Sequence, residues 1–226
     1  MSIHRIRPDC LGRLRTIAGL VVLGGLSSCF AQQTLVTLPK PRMDGGKPLM
    51  RALAERQTIR TYGDKSLSPH VLSDLLWAAF GVNRSQSQKA GLGRTAPSAR
   101  NRQEIDLYLA LPEGVYIYEA EPHRLRLVAP GDIRPKTGSE AAAKAAVTIL
   151  YVADSTKAGG TGTPQFAAVD VGFIGQNVYL FAASEGLGAW FRATIPDAAG
   201  LSQILKLRPN QQILYVQTVG YPAVSR

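Results

Sequence analysis

The feature that most constrains the fold is a long apolar stretch, residues 166–184. At a rise of 1.5 Å per residue it predicts a helix of roughly 30 Å. The stretch is apolar on several faces, but Asp170, Gln176 and Asn177 interrupt it and argue against a membrane span. A helix that is apolar nearly all round must be buried on several sides. In a domain of this size, we expect one of those sides to face a second copy of the chain.

Shorter patterns on both sides of this stretch indicate an α+β layer fold. Ser68 followed by Pro69 marks a helix start, and Gly81 suits the position after its end, where glycine is favoured. Apolar residues predict strands over 105–111, 115–118, 125–128, 147–152 and 213–219. Further helices are predicted from residue 48 to 56, 139 to 146 and 197 to 207, and residues 82–97 are predicted to form a polar loop.

The composition argues against several classes of protein. With 226 residues, 45% of them hydrophobic, the chain suits one globular domain. The formal net charge is +10, but the basic residues are dispersed, which argues against nucleic-acid binding. The only cysteines, Cys10 and Cys29, and the widely spaced histidines argue against a disulfide scaffold and a metal site. The glycine-rich loop at 159–163 matches no phosphate-binding motif and is expected to be a connection.

Residues 1–31 are typical of an export signal. Arginines in residues 1–15 precede about ten uncharged residues, which are too few to span a bilayer; a buried N-terminal helix is the alternative. Cleavage before Gln32 would leave a soluble protein, whereas the Leu-Ser-Ser-Cys sequence ending at Cys29 resembles a bacterial lipobox and would leave a lipid anchor at Cys29. We therefore expect an exported protein of the bacterial periplasm or envelope, with a polar linker over 32–47 and a folded domain over 48–226.

Residues 56–60 form the most informative polar motif. Arg56, Thr58 and Arg60 place a hydroxyl between two guanidinium groups just after a predicted helix. Such a set can bind a doubly charged phosphate and a second electron-rich group. A solvated basic turn is the alternative.

The order of four motifs resembles the nitroreductase family of flavoproteins. The basic element at 56–60 comes first, and a Pro-Ser-x-x-Asn-x-Gln element follows at 97–103. An Asp-x-Gly-x-x-x-Gln-Asn helix begins at Asp170 and is followed by a Gly-Leu-Gly turn at 186–188. A Gly-Tyr-Pro sequence, here at 220–222, is also common in that family. The Arg-Thr-Ala-Pro-Ser version of the second element, residues 94–98, is most similar to the branch that includes thiazoline and oxazoline dehydrogenases.

The resemblance implies a central mixed or antiparallel sheet flanked by helices, a long buried central helix, and a homodimer that binds flavin mononucleotide (FMN) at its interface. Hydride would pass through flavin N5 from a reduced donor, with NAD(P)H as a candidate, to a small organic acceptor such as a nitroaromatic or a quinone. No dedicated acid or base is implied, because the chain would supply position and electrostatics.

By matched position, the resemblance also assigns cofactor contacts. Arg56 and Thr58 would contact the phosphate, and Arg60 would lie near the pyrimidine edge, where positive charge stabilises the reduced anion. The other assigned positions are Gln57, where relatives carry Arg or His, Pro97, Ser98 and Asn101 beside the isoalloxazine, and Gly186, Leu187 and Gly188 near N5, where glycine permits close approach.

Departures from the family pattern leave an alternative open. Relatives carry a basic residue after the final strand that also binds the phosphate, whereas here only Arg226 follows Pro222. The stretch in which relatives place a lid over the substrate is also short. An exported, lipid-anchored protein of the same fold without redox activity is therefore the alternative. Trp190 and Phe191, next to the Gly-Leu-Gly turn, are expected either to line the pocket or to pack in the core.

Overall fold

A computed structural model describes residues 35–85, 91–159 and 164–223. The predicted export signal, with Cys29, and most of the glycine-rich loop lie outside these described residues. The strands are β1 (Leu35–Thr37), β2 (Val82–Arg84), β3 (Gly93–Arg94), β4 (Ile105–Leu111), β5 (Gly114–Glu119), β6 (Arg124–Pro130), β7 (Val147–Asp154), β8 (Gly188–Arg192) and β9 (Gln211–Gly220). The helices are α1 (Leu49–Glu55), α2 (Pro69–Phe80), α3 (Glu140–Ala143), α4 (Pro164–Glu185) and α5 (Ala198–Ile204).

The main sheet is antiparallel throughout, in the order β1-β6-β5-β4-β7-β9-β8. The predicted hairpin is present as β4 and β5, which pair Tyr108 with Ile117. The continuous apolar run at 147–152 lies inside β7, a central strand that is buried along most of its length. Helices pack on both faces of this sheet, and the prediction of an α+β layer fold is confirmed.

The long helix α4 has two apolar faces, one buried and one exposed. Its inner residues Val171, Ile174 and Val178 are fully buried in the main core, together with residues of β4 and β7. Its outer residues Phe166, Val169 and Phe173 remain 49%, 54% and 46% exposed. By length and hydropathy alone this helix could also cross a membrane, but its inner face is occupied by the sheet. The outer face has no partner within the described part of one chain.

The start of α2 has the predicted serine cap, whereas the glycine at its end is required for a different reason from the predicted one. Ser68 Oγ accepts a hydrogen bond from the Val71 backbone N–H at 3.3 Å, as an N-cap should. Gly81 has a φ of −71°, so it is not in the left-handed conformation expected after a helix end. A Cβ at Gly81 would lie 2.5 Å from Trp77 Cδ1, so close packing is what excludes a side chain there.

Three parts of the chain differ from the sequence-based expectation. β8 was not predicted, and it pairs with β9 as the edge strand of the main sheet. The predicted polar loop at 82–97 contains a small ribbon of β2 and β3. The predicted helix over 139–146 is short, because α3 ends at Ala143 and the following residues lead directly into β7.

The segment before α1, expected to be a linker, makes many contacts with the domain. β1 pairs with β6, and we call the residues that follow it, 38–47, the arm. Ser73 Oγ donates to Pro39 O at 2.5 Å, and Asp74 accepts from both the backbone N–H and the guanidinium of Arg42 at 2.8 and 2.6 Å. The arm therefore lies against α2 before it reaches α1.

Candidate functional site

One cavity of about 430 Å³ lies where the end of α1 meets the end of α4. Its lining includes Lys47, Arg56, Gln57, Tyr179, Leu187 and Pro222. The volume is within the range of small-molecule binding sites. The cavity brings together residues of the basic motif at 56–60, the turn at 186–188 and the Gly-Tyr-Pro sequence, which are far apart in the chain.

The segment that follows α1 is held in an extended conformation along β8. The Ile59 backbone N–H donates to Ala189 O at 3.0 Å, and Thr58 forms an isolated parallel bridge with Ala189. A Cβ at Gly188 would lie 2.8 Å from Ile59 Cγ2. This close approach leaves no room for a side chain at position 188, the last residue of the Gly-Leu-Gly turn.

Tyr179 of α4 organises the basic motif, and sequence analysis did not identify it. Its hydroxyl accepts from the Phe191 backbone N–H at 2.9 Å and lies 3.1 Å from Thr58 Oγ1. In the contact with Thr58 either hydroxyl can be the donor. The Arg56 guanidinium carbon lies 5.3 Å from the centre of the Tyr179 ring, a cation–π contact. The available sequence signal was a tyrosine hydroxyl on a largely apolar helix, two residues after Asn177.

The turn after α4 leaves open backbone at the cavity. Gly186 has a φ of +70°, and the Leu187 backbone N–H donates to Ala182 O at 2.8 Å, which closes the end of the helix. Apart from its chain neighbours, no atom of the described residues lies within 4 Å of the position that a Gly186 Cβ would occupy. A ligand can therefore approach this backbone closely.

Two guanidinium groups, those of Arg60 and Arg192, contact the ring of Trp190. The guanidinium carbons of Arg60 and Arg192 are 5.6 and 4.8 Å from the centre of its ring. Arg192 is only 9% exposed, and burial lowers its pKa. Its Nη1 donates to Thr137 O at 3.0 Å, while Nε and Nη2 have no hydrogen-bond partner among the described residues. Phe191, by contrast, points into the core against Tyr151.

Burial also acts on Tyr62, next to these arginines. It raises the pKa of Tyr62 to about 12, and the hydroxyl lies 2.8 Å from Thr218 Oγ1 and from Ile59 O. The phenol therefore stays neutral and does not balance the charge of Arg192. Neither Arg60 nor Arg192 forms an ion pair with a carboxylate among the described residues.

The predicted motif at 97–103 forms a separate, internally bonded loop. Ser98 Oγ accepts from the Gln103 backbone N–H at 3.0 Å, and Gln103 Nε2 donates to Asn101 Oδ1 at 2.9 Å. Arg100, Asn101 and Gln103 have φ values of 56°, 56° and 52°. Residues other than glycine rarely adopt this left-handed conformation, and those that do concentrate at functional sites.

This loop is anchored to the first half of α4 by a buried acid. Both Asp170 oxygens lie 3.2 Å from the Ala99 backbone N–H. Burial raises the pKa of Asp170 to about 6, and the nearby Glu104 carboxylate adds to the effect. Glu104 is itself buried and lies beside Asp170 without a hydrogen bond of ordinary geometry. The loop thus lies over two carboxyl groups that form no ion pair with a cation in the part of the chain that the structure describes.

A single chain does not bring all the predicted residues together. Asp170 and Tyr179 are nine residues apart on α4, about 13 Å along the helix axis. Arg56, Gln57, Gly186 and Leu187 line the cavity, and Thr58 reaches Tyr179 beside it. Pro97, Ser98 and Asn101 are not among the described residues that line it. Arg60 and Gly188 are also not among the described lining residues: Arg60 contacts Trp190 of β8, and Gly188 packs against Ile59.

No group of three or more potential metal ligands occurs among the described residues. The structure therefore adds nothing in favour of a metal centre in the part of the chain that it describes.

Comparison with known proteins gives a consistent assignment. The family model described as the nitroreductase family matches residues 53–221. A Methanocaldococcus jannaschii protein classed as a nitroreductase is 29% identical over 176 residues, which is 72% of this chain and 86% of that one. A Ralstonia eutropha structure classed as a nitroreductase is 34% identical, with a TM-score of 0.76 and coverage of 84% of this chain and 90% of that one.

A more distant solved structure is that of a complex with a ligand. This Desulfovibrio desulfuricans protein, classed as a nitroreductase in complex with FMN, is 22% identical, with a TM-score of 0.56. The match covers 80% of this chain and 91% of that one. At this identity the similarity establishes the shared fold.

Proposed function

Because the chain belongs to the nitroreductase family, we propose that it is an FMN-dependent oxidoreductase whose cofactor binds in the cavity beside Arg56. One observation carries the proposal: the basic motif and the Gly-Leu-Gly turn, 130 residues apart in sequence, meet at one cavity of ligand size. FMN in the Desulfovibrio desulfuricans relative supports the choice of cofactor.

The groups at the cavity fit a flavin nucleotide chemically. Arg56 and Thr58 supply a guanidinium and a hydroxyl, which suit a phosphate. The open backbone at Gly186 suits a flat ring that must approach closely. Arg60 and the buried Arg192, which both contact Trp190 of β8, supply further positive charge. When bound, FMN would supply hydride transfer between a reduced donor and a small acceptor.

The chain itself would contribute position and electrostatics rather than proton transfer. Tyr179 orients Thr58 and the β8 backbone together, because its hydroxyl contacts both. Tyr62 stays neutral at physiological pH and keeps Ile59 in place through its hydroxyl. These contacts fix the basic motif before any ligand arrives, which reduces the entropy cost of binding.

We propose further that the functional unit is a homodimer. The outer face of α4 exposes Phe166, Val169 and Phe173, and α1 exposes Leu49 and Met50, which are 62% and 75% exposed. Apolar patches of this kind mark interaction surfaces. The loop with Pro97, Ser98 and Asn101 lies over the half of α4 that carries these phenylalanines. A second copy packed there would bring its own loop towards the cavity.

The finer assignments remain part of the proposal. NAD(P)H is the candidate donor, and a nitroaromatic or a quinone is the candidate acceptor. The branch that includes thiazoline and oxazoline dehydrogenases is the proposed subgroup. Export to the periplasm or envelope, with Cys29 as the candidate lipid anchor, follows from the predicted signal in residues 1–31.

The direct test is FMN binding by the purified mature protein. Wild-type protein should be yellow or take up added FMN, and reduced nicotinamide should bleach the flavin absorbance under anaerobic conditions. Arg56→Ala should weaken FMN binding, whereas Lys144→Ala, at an exposed residue directly after α3, should not. A folded wild-type protein that binds no FMN would refute the proposal. Bound FMN that neither nicotinamide nor dithionite reduces would favour the alternative without redox activity.

A further inference from the structure

We infer that Lys47, at the end of the arm, is a second cation for the cofactor phosphate and complements Arg56. The inference rests on the proposed function, because it concerns the same cavity. Among the described residues that line this cavity, Lys47 and Arg56 are the cations. The described residues after β9 are Tyr221, Pro222 and Ala223, which carry no charge.

The position of Lys47 is built into the fold. Gly46 has a φ of +73°, and a Cβ there would lie 2.5 Å from Ser184 Oγ. The Lys47 backbone N–H donates to the same Ser184 Oγ at 2.7 Å. A residue with a side chain at position 46 would meet both strain and a clash. The arm is therefore fitted to the end of α4, and this fit delivers Lys47 to the cavity.

The ammonium group of Lys47 is only partly committed. Its Nζ donates to Glu55 Oε2 at 2.6 Å and to Ala183 O at 3.1 Å. An ammonium has three N–H groups, so one donor has no acceptor among the described residues. The side chain is 39% exposed. A ligand in the cavity can therefore reach this group without breaking either existing bond.

The charges around this end of the cavity match a phosphate monoester. Glu55 pairs with both Lys47 and Arg51, and the hydrogen bond from Lys47 keeps the pKa of Glu55 below its usual value. Arg56 adds a third cation close by. The charged residues that line the cavity are Lys47, Arg56 and Glu55, and together with Arg51 they carry two net positive charges. A phosphate monoester carries about −1.5 to −2 at pH 7, so the charges are complementary.

Comparing FMN with riboflavin isolates the phosphate, because riboflavin carries the same ring without it. Affinities are measured by fluorescence titration on full-length mature protein stripped of flavin. Lys47→Met should weaken FMN binding about tenfold, the loss of one charge-assisted hydrogen bond at a partly exposed site. Riboflavin affinity should not change. Lys40→Met, an exposed lysine on the same arm outside the cavity, should leave both affinities unchanged.

A second variant separates the phosphate contact from the ion pair with Glu55. Glu55→Gln breaks the same ion pair but keeps the lysine charge, so FMN affinity should stay equal or rise. Equal weakening of FMN and riboflavin by Lys47→Met, or the same FMN loss in Glu55→Gln, would show a structural role and overturn the inference. An unchanged FMN affinity in Lys47→Met would also overturn it and leave the proposed function standing. Wild-type protein that binds neither flavin would refute the proposed function and this inference with it.

Discussion

Replacing Asp170 with asparagine should remove a loss of stability that the protein suffers as pH rises through about 6. The Asp170 carboxyl is 2% exposed, and burial, with the Glu104 carboxylate beside it, raises its pKa to about 6. The native state therefore holds the proton more tightly than the unfolded state does. A raised carboxyl pKa contributes stability that is fully present below the unfolded value of 3.8 and is lost as pH rises through about 6.

The magnitude follows from the two pKa values. A rise from 3.8 to about 6 corresponds to about 3 kcal/mol, at 1.36 kcal/mol per pKa unit. Asparagine is uncharged at every pH and keeps an oxygen that can accept from the Ala99 N–H. The difference in unfolding free energy between Asp170→Asn and wild type should therefore grow by up to about 3 kcal/mol between pH 4 and pH 7.5, in favour of the variant.

The assay is urea denaturation at a fixed protein concentration over that pH range, followed by circular dichroism. Taking the difference between variant and wild type removes the contribution of the other titrating groups. Asp132→Asn is a control of opposite sign, because the hydrogen bond from Arg134 lowers the pKa of Asp132. Its stability deficit should be present at neutral pH and should shrink as pH falls below about 4. A difference for Asp170→Asn that is flat with pH would refute the reasoning.

Other substitutions test the arm, the basic motif and the proposed interface. Gly46→Ala should lower the unfolding free energy by about 1–2 kcal/mol in the same urea assay, because the left-handed φ and Ser184 Oγ both oppose a methyl group; no change would contradict the geometry. Tyr179→Phe should cost about 1–2 kcal/mol, because the hydroxyl satisfies a backbone N–H and contacts Thr58. Phe173→Glu should convert a dimer to a monomer in light scattering without loss of helix by circular dichroism; a retained dimer would contradict the proposed interface.

The elements that depend on local sequence were predictable. Residues 166–184 are apolar over five turns, so the prediction came within two residues of α4, Pro164–Glu185. The hairpin was also predicted, because β4 matches the predicted strand at 105–111 and a Pro-Glu-Gly turn follows it. β8 was missed for a physical reason. It is five residues long and lies at the sheet edge, and its partner β9 begins about twenty residues later, so only tertiary pairing specifies it.

The candidate site shows the same division. The spacing of Arg56, Thr58 and Arg60 is a local property, and motif reading identified it. The roles of Lys47 and Tyr179 depend on which helix end the arm and the motif meet, and Lys47 bonds to Ser184, 137 residues away. No periodicity within either segment reports such a contact. The sequence order of motifs also cannot show that the Asn101 loop lies at the other half of α4 from the cavity in one chain.

The two sides of the proposed site carry different kinds of positive charge, and the difference suits different tasks. Lys47 and Arg56 are partly exposed and Glu55 offsets part of their charge, so they can meet a permanently charged phosphate that arrives from solvent. Arg192 is buried and has no carboxylate partner among the described residues, and leaving a buried cation unbalanced is costly. On the proposed function, a negatively charged group bound near Arg192 would recover part of that cost. Arg60 and Arg192 both contact Trp190 of β8 and not the residues proposed to hold the phosphate, so on the proposed function their charge would act on the flavin ring.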